Sequence, residues 1–185
     1  MPELAVYTAS DAIHPKLDRQ IRALLSTAWP GADDEQESGA LVDPALHPVS
    51  FVITSGEHVL SYGRTIWAWV SHDDRTLKIY GLGDVVTAPE WRRSGSGGRV
   101  VEAATTHIRS DQDADLAVLL TEPGLEAWYG RRGWSHMPGM RIVTDEYDGD
   151  HTANPFAMVL LLSAAMRSAR AELSTSPLVL PGDEW

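Results

Sequence analysis

The 185 residues include no cysteine, and no apolar run approaches the length of a bilayer span. The first absence excludes disulfides, a thiol nucleophile and thiolate metal sites. The second argues against a helix that crosses a membrane. Positive charge is scarce: 15 Lys and Arg stand against 26 Asp and Glu, a formal net charge of −11. Nucleic acid needs basic patches to meet its phosphates, so this balance argues against such a partner. It maintains solubility, and in a cleft the same field attracts a cationic small molecule. The segment MPELAVYTASDAIH has no basic stretch followed by an apolar core. It does not read as a secretory leader, and a cytoplasmic location is expected. The seven histidines show no His-x-x-x-His spacing, so no metal site is expected. Neither an internal repeat nor a linker divides the chain, which reads as a single domain over residues 1–185.

What is present is an alternation of strand-like and helix-like segments. Leu4 to Thr8 reads as a short strand. Leu17, Ile21, Leu24, Leu25 and Ala28 form a helical stripe within Pro15 to Trp29. Pro30 to Pro48, rich in Gly, Pro and acid, reads as a long loop of the kind that often carries function. Ser50 to Thr54, Val59 to Val70 and Thr76 to Thr87 read as antiparallel strands, with turns at Gly56-Glu57 and His72 to Arg75. Leu116 to Leu120 and Phe156 to Leu162 read as buried strands. Between them a short helix runs from Glu122-Pro123-Gly124 to Arg131 and ends at Gly133, with Pro near its start and Gly past its end. A helical stretch from Ala164 to Leu173 and a Leu178-Val179-Leu180 run complete the pattern. The order β-α-β-β-β-α-β-α-β-β, with flanking helices, predicts an α/β fold on a mixed central sheet.

The run Trp91-Arg92-Arg93-Ser94-Gly95-Ser96-Gly97-Gly98-Arg99 separates a strand from Val100, Val101, Ala104 and Ile108, one face of a helix. Glycines leave backbone N–H groups accessible, and a helix start adds partial positive charge, so the turn can hold a phosphate. Arg92, Arg93 and Arg99 add full charge in an otherwise acidic chain. The expectation is a phosphorylated cofactor.

Arg92-Arg93-Ser94-Gly95-Ser96-Gly97 matches the acetyl-CoA signature of the GNAT N-acetyltransferases: Arg or Gln, two residues, Gly, one residue, Gly or Ala. With Gly130-Arg131-Arg132-Gly133-Trp134 and the Tyr129 before it, the chain resembles that family over most of its length. More narrowly, Tyr80 to Trp91, Tyr129 to Trp134 and the closing Gly182-Asp183-Glu184-Trp185 resemble the aminoglycoside 2′-N-acetyltransferases. The resemblance implies the GNAT fold, acetyl-CoA as cofactor and direct acetyl transfer to an amine in a ternary complex, as in antibiotic resistance. It implies that Arg92, Arg93, Ser94, Gly95, Ser96, Gly97 and Gly98 hold the pyrophosphate. The strand edge at Val85, Val86 and Thr87 would pair with the pantetheine arm, the Val85 N–H polarising the acetyl carbonyl. Tyr129 would protonate the CoA thiolate, its phenol having an ordinary pKa near 10.

For the acceptor, the resemblance implies that Asp183 and the Trp185 carboxylate bind ammonium groups, as does Asp33 or Asp34 in the loop after the first helix. Leu82 stands where that group carries a Glu. Asp84, two residues on and expected on the same strand face, is the candidate base, directly or through water. This departure suggests an acceptor unlike the usual deoxystreptamine drugs, such as kasugamycin. Relatives of this kind are often homodimers, so the tail could line a pocket or a dimer interface.

Plainer readings stand beside these. Tyr129 could be an aromatic core residue. Asp84 could be a hydrogen-bonded carboxylate at a bulge made by Gly81 and Gly83, with no dedicated base needed. Asp183 and Glu184 could be a frayed tail, and Asp33 to Glu37 a solvated loop. Trp67 and Trp69 read as packing residues more than as a sugar platform. Two other functions compete: acetylation of another small amine, polyamine or peptide N-terminus, and a non-catalytic CoA-binding module.

Overall fold

The structure is a computed structural model that describes residues 1–30, 42–144, 156–182 and 185. Its first half holds β1 (Glu3–Thr8), α1 (Pro15–Ala28), β2 (Val49–Ser55), β3 (His58–His72) and β4 (Arg75–Thr87). These are followed by α2 (Ser96–Ser110), β5 (Leu116–Leu120), α3 (Glu126–Gly130) and β6 (Ser135–His136). The chain closes with β7 (Ile142–Thr144), β8 (Ala157–Leu161), α4 (Ala164–Ser168) and β9 (Leu178–Leu180). Seven strands form one sheet in the order β1-β2-β3-β4-β5-β8-β6. β4 and β5 pair in parallel from Ile79↔Leu116, whereas β1–β2, β2–β3, β5–β8 and β6–β8 are antiparallel. The sheet is therefore mixed and flanked by helices, as the element order predicts. Among the described residues, no helix is long and apolar enough to cross a membrane.

A parallel pairing of β7 with β9, Ile142↔Leu178 to Thr144↔Leu180, makes a second small sheet. β9 is the Leu178-Val179-Leu180 run that closes the sequence pattern, whereas β7 is too short to show a period and carries no local signal.

The described chain falls into two compact units, residues 1–66 with 84–105 and residues 67–83 with 106–185. In the first, α1 starts at Pro15, where a missing N–H costs nothing, and the His14 ring accepts from the Lys16 N–H at 3.2 Å. Ile21 and Leu24 of its apolar stripe pack with Val52, Tyr62, Val86 and Ala88. In the second unit, Ile79, Leu116, Val118 and Val159 pack with Met140, Met166 and Leu178. The tail thus enters a core through Leu178 and Leu180, with Trp185 packed against the same cluster.

Candidate active site

β4 runs regularly to Gly83, and then Asp84 takes a left-handed φ of +56°. The sequence offers Asp84 as a hydrogen-bonded carboxylate at a bulge favoured by Gly81 and Gly83, and the positive φ falls on Asp84 and on neither glycine. Asp is one of the few residues that enters this region without a large penalty. Here its carboxylate also accepts from the Nε–H of Arg64 on β3. Arg64 is only 8% exposed, and a guanidinium inside an apolar strand requires a partner. A left-handed residue interrupts the two-residue alternation of a strand. Leu82 is buried, and Asp84 turns one carboxylate oxygen to Arg64.

The rest of the strand edge is pinned from β3. The Ser61 hydroxyl donates to the Val86 carbonyl at 2.8 Å and lies 2.9 Å from Thr87 Oγ1. The Ala88 N–H donates to the Leu60 carbonyl at 2.9 Å. Val86 is buried against the α1 cluster, while Val85 and Thr87 are only half-buried.

Beyond Pro89–Trp91, a single 3-10 turn, the chain makes the glycine-rich bend. Arg93 (φ +64°) and Gly95 (φ +88°) are both left-handed and flank Ser94. These two positive φ values turn the backbone sharply, and between them the Ser94 N–H donates to the Trp91 carbonyl at 3.3 Å. An added Cβ on Gly95 would meet nothing within 4 Å, so the glycine is needed for its φ and not for space. The Ser96 N–H donates to Ser94 Oγ at 3.3 Å, and the Arg99 N–H donates to the Gly95 carbonyl at 3.1 Å. α2 thus opens on Ser96, Gly97 and Gly98, and is anchored by Val100, Val101, Ala104 and Ile108, all fully buried. Arg92 and Arg93 are exposed beside the bend, whereas Arg99 Nη1 donates to the Pro2 carbonyl at 3.1 Å.

The first unit also contains a cavity of about 290 Å³ lined by Asp11, Asp18, Arg22 and Ser50. Asp18 and Arg22 pair at 2.9 Å along α1, and Ser50 Oγ lies 3.1 Å from the Tyr62 hydroxyl. Burial pushes the Tyr62 phenol up to about 12, assisted by the Asp84 and Asp18 charges and opposed by the Ser50 bond. Neither Tyr62 nor Arg64 was reached from the sequence. The available signal was a lone Arg in the apolar run Val59 to Val70, since a buried charge implies a partner on a neighbouring strand.

Tyr129 lies in the second unit, in α3, and is 6% exposed. Burial pushes its phenol up to about 12, against smaller opposing effects from a hydrogen bond with Thr121 and the Arg132 charge. Its ring meets Trp128 edge-on at 4.7 Å, and Arg132 covers the other indole contact at 4.2 Å. Gly133, with φ +90°, closes the short helix as its Gly-Trp context predicts. In the same unit, Lys78 Nζ sits 4.0 Å over Trp67 and 2.7 Å from Asp111 Oδ2. That ammonium fills the Trp67 face, which favours packing over a sugar platform, although Trp69 is 57% exposed.

Trp185 is half-buried, and its indole N–H donates to the Pro181 carbonyl at 2.6 Å. Asp33, Asp34 and Asp183 lie outside the described residues.

No protein-family model matches the chain, and no curated protein sequence matches it. Solved structures do. A GNAT family N-acetyltransferase from Escherichia coli, in complex with CoA, superposes with a TM-score of 0.61 at 17% identity, covering 98% of this chain and 90% of that one. An aminoglycoside 6′-N-acetyltransferase complexed with coenzyme A gives 0.60 at 13% identity, covering 87% and 97%. A GNAT family acetyltransferase from Brucella melitensis, in complex with acetyl-CoA, gives 0.53 at 22% identity, covering 87% and 89%. The fold of this chain is the one these acetyltransferases share.

Proposed function

We propose that the chain is an acetyl-CoA-dependent N-acetyltransferase whose acceptor is a cationic small-molecule amine of the aminoglycoside type. One observation carries the reading: the left-handed Asp84 near the end of β4 is followed nine residues later by the Arg93/Gly95 bend that opens α2. The fold shared with N-acetyltransferases solved with CoA or acetyl-CoA supports it.

In this reading the bend at residues 93–98, with Arg92 and Arg93, holds the cofactor's pyrophosphate at the start of α2. The edge at Val85, Val86 and Thr87 holds the pantetheine arm, and the Val85 N–H polarises the acetyl carbonyl. The cofactor supplies an activated acyl thioester. The amine nitrogen bonds the acetyl carbon as the C–S bond breaks. The proton lost by the amine goes to the carboxylate oxygen of Asp84 not facing Arg64, directly or through water. Tyr129 returns a proton to the departing sulfur, and its raised phenol pKa keeps that proton in place at neutral pH.

The 2′-amine of a kasugamycin-like sugar is the acceptor this reading favours, with Asp183, the Trp185 carboxylate and Asp33 or Asp34 as ammonium partners. It also includes a role in resistance, a cytoplasmic location and a homodimer. A second reading keeps the chemistry but takes a smaller amine or polyamine, favoured by the 290 Å³ cavity with its Asp11 and Asp18 carboxylates. A thiol-release assay with acetyl-CoA and a panel of aminoglycosides, kasugamycin, polyamines and peptide N-termini tests both. Release with kasugamycin but not polyamines supports the first reading, and the reverse supports the second. Tight CoA binding without release from any amine leaves a non-catalytic CoA-binding module.

A further inference from the structure

The second unit carries an open cavity of about 730 Å³ that the proposed transfer does not use. Its size lies within the roughly 300–1,000 Å³ of small-molecule sites. Three arginines line it: Arg109 from the last turn of α2, Arg167 from α4 and Arg170 just beyond α4. In a chain of net charge −11, this is a local inversion of sign.

Two of the three are steadied by the backbone. Arg167 Nη1 donates to the Leu161 and Leu162 carbonyls at 3.3 and 2.6 Å, and Arg170 Nη2 to the His136 carbonyl at 3.4 Å. Each uses one nitrogen in this way. Among the described residues no carboxylate pairs with either, so most of each five-donor fork stays available. Arg109 has neither a hydrogen bond nor a carboxylate partner among the described residues. Its Nη2 lies 2.3 Å from where a Cβ on Gly133 would stand, so the guanidinium occupies the notch that this glycine leaves. The carboxylate in the lining, Asp111, is already neutralised. Lys78 Nζ lies 2.7 Å from its Oδ2, and the Tyr80 hydroxyl donates to the same oxygen at 2.7 Å.

Each arginine has a simpler role taken singly. Arg109 complements the C-terminal end of α2, and Arg167 and Arg170 satisfy carbonyls. Those roles do not account for three forks converging on one cavity. We propose that this cavity binds a small organic polyanion with two or more carboxylate or phosphate groups, held by Arg109, Arg167 and Arg170. Planar forks that can engage such groups with two parallel bonds are the recognition element.

Calorimetric titration of the full chain at low ionic strength tests this, with citrate in one arm and pyrophosphate in the other, each repeated at saturating CoA. At saturating CoA, which fills the bend at residues 93–98, at least one anion should still bind at a single site, more weakly as salt rises. Binding by citrate alone identifies a carboxylate site, by pyrophosphate alone a phosphate site, and by both a site that reads charge. The Arg109→Gln/Arg167→Gln variant should lose roughly tenfold or more in affinity. Should that variant not fold, Arg109→Gln alone carries the comparison, because this guanidinium makes no bond among the described residues. The proposal is overturned if neither anion binds at saturating CoA, or if the arginine variants bind there as the wild type does.

Discussion

Arg64 on β3 donates through Nε to the carboxylate of Asp84, the left-handed residue of β4. One contact therefore neutralises a buried guanidinium and holds a backbone reversal in place. The reversal comes directly before Val85, whose N–H is the candidate donor to the acetyl carbonyl. Breaking one end of a fully buried pair costs roughly 3–5 kcal/mol. The Asp84 side chain is 28% exposed, which lowers the expectation. Arg64→Met should cost about 2 kcal/mol in urea unfolding. Asp84→Asn retains tolerance for the left-handed φ, so Asp84→Ala should cost about 1 kcal/mol more than Asp84→Asn. Equal costs would show that the backbone at this position is not strained.

Tyr129→Phe removes the candidate acid and little volume. Turnover should fall roughly 100-fold, the low end for general acid catalysis, with a small change in the acetyl-CoA KM. Steady-state kinetics at neutral pH separates the two parameters. Unchanged turnover would assign Tyr129 to packing alone.

Alkaline pH should weaken the fold in a defined window. Tyr62 and Tyr129 are held up to about 12 in the folded chain, against an ordinary value near 10. Above pH 10 the unfolded chain releases protons that the folded one retains, so stability falls as pH rises. This stabilisation is complete below pH 10 and is lost progressively between about 10 and 12. The melting temperature should decline across that window. Phenolate absorbance at pH 11 should be the same in native wild type and Tyr129→Phe. A difference would mean that Tyr129 ionises near its ordinary value.

Deleting Asp183 to Trp185 tests the tail. Trp185 packs against the core of the second unit and donates to Pro181, so a lower melting temperature is expected. If the tail also binds the acceptor, the acceptor KM should rise while the acetyl-CoA KM holds. An unaffected acceptor KM would refute the clamp.

Much of the fold was legible because its signals are local. α1 shows its stripe in fourteen consecutive residues, and β2 to β4 show theirs as apolar runs bounded by turns. The Arg92 to Gly98 bend was legible for the same reason, since glycine spacing before a helical stripe is short-range information. Asp84 was legible as a hydrogen-bonded carboxylate near Gly81 and Gly83, whereas its partner Arg64, twenty residues away, was not. Glycine permits a left-handed φ, yet here the residue that adopts it is the one paired with a distant arginine.

By itself, the sequence determined the mixed α/β order, the glycine-rich bend before α2 and the exclusion of a cysteine nucleophile, because propensity, periodicity and composition act within a few residues of chain. Only the tertiary structure decided the Arg64–Asp84 pair, the parallel pairing of β7 with β9, and the meeting of Arg109 with Arg167 and Arg170 at one cavity. Each joins residues remote in sequence. Their energies come from desolvation, charge pairing and main-chain hydrogen bonds between separate elements, and these arise only once the sheet has brought the elements together.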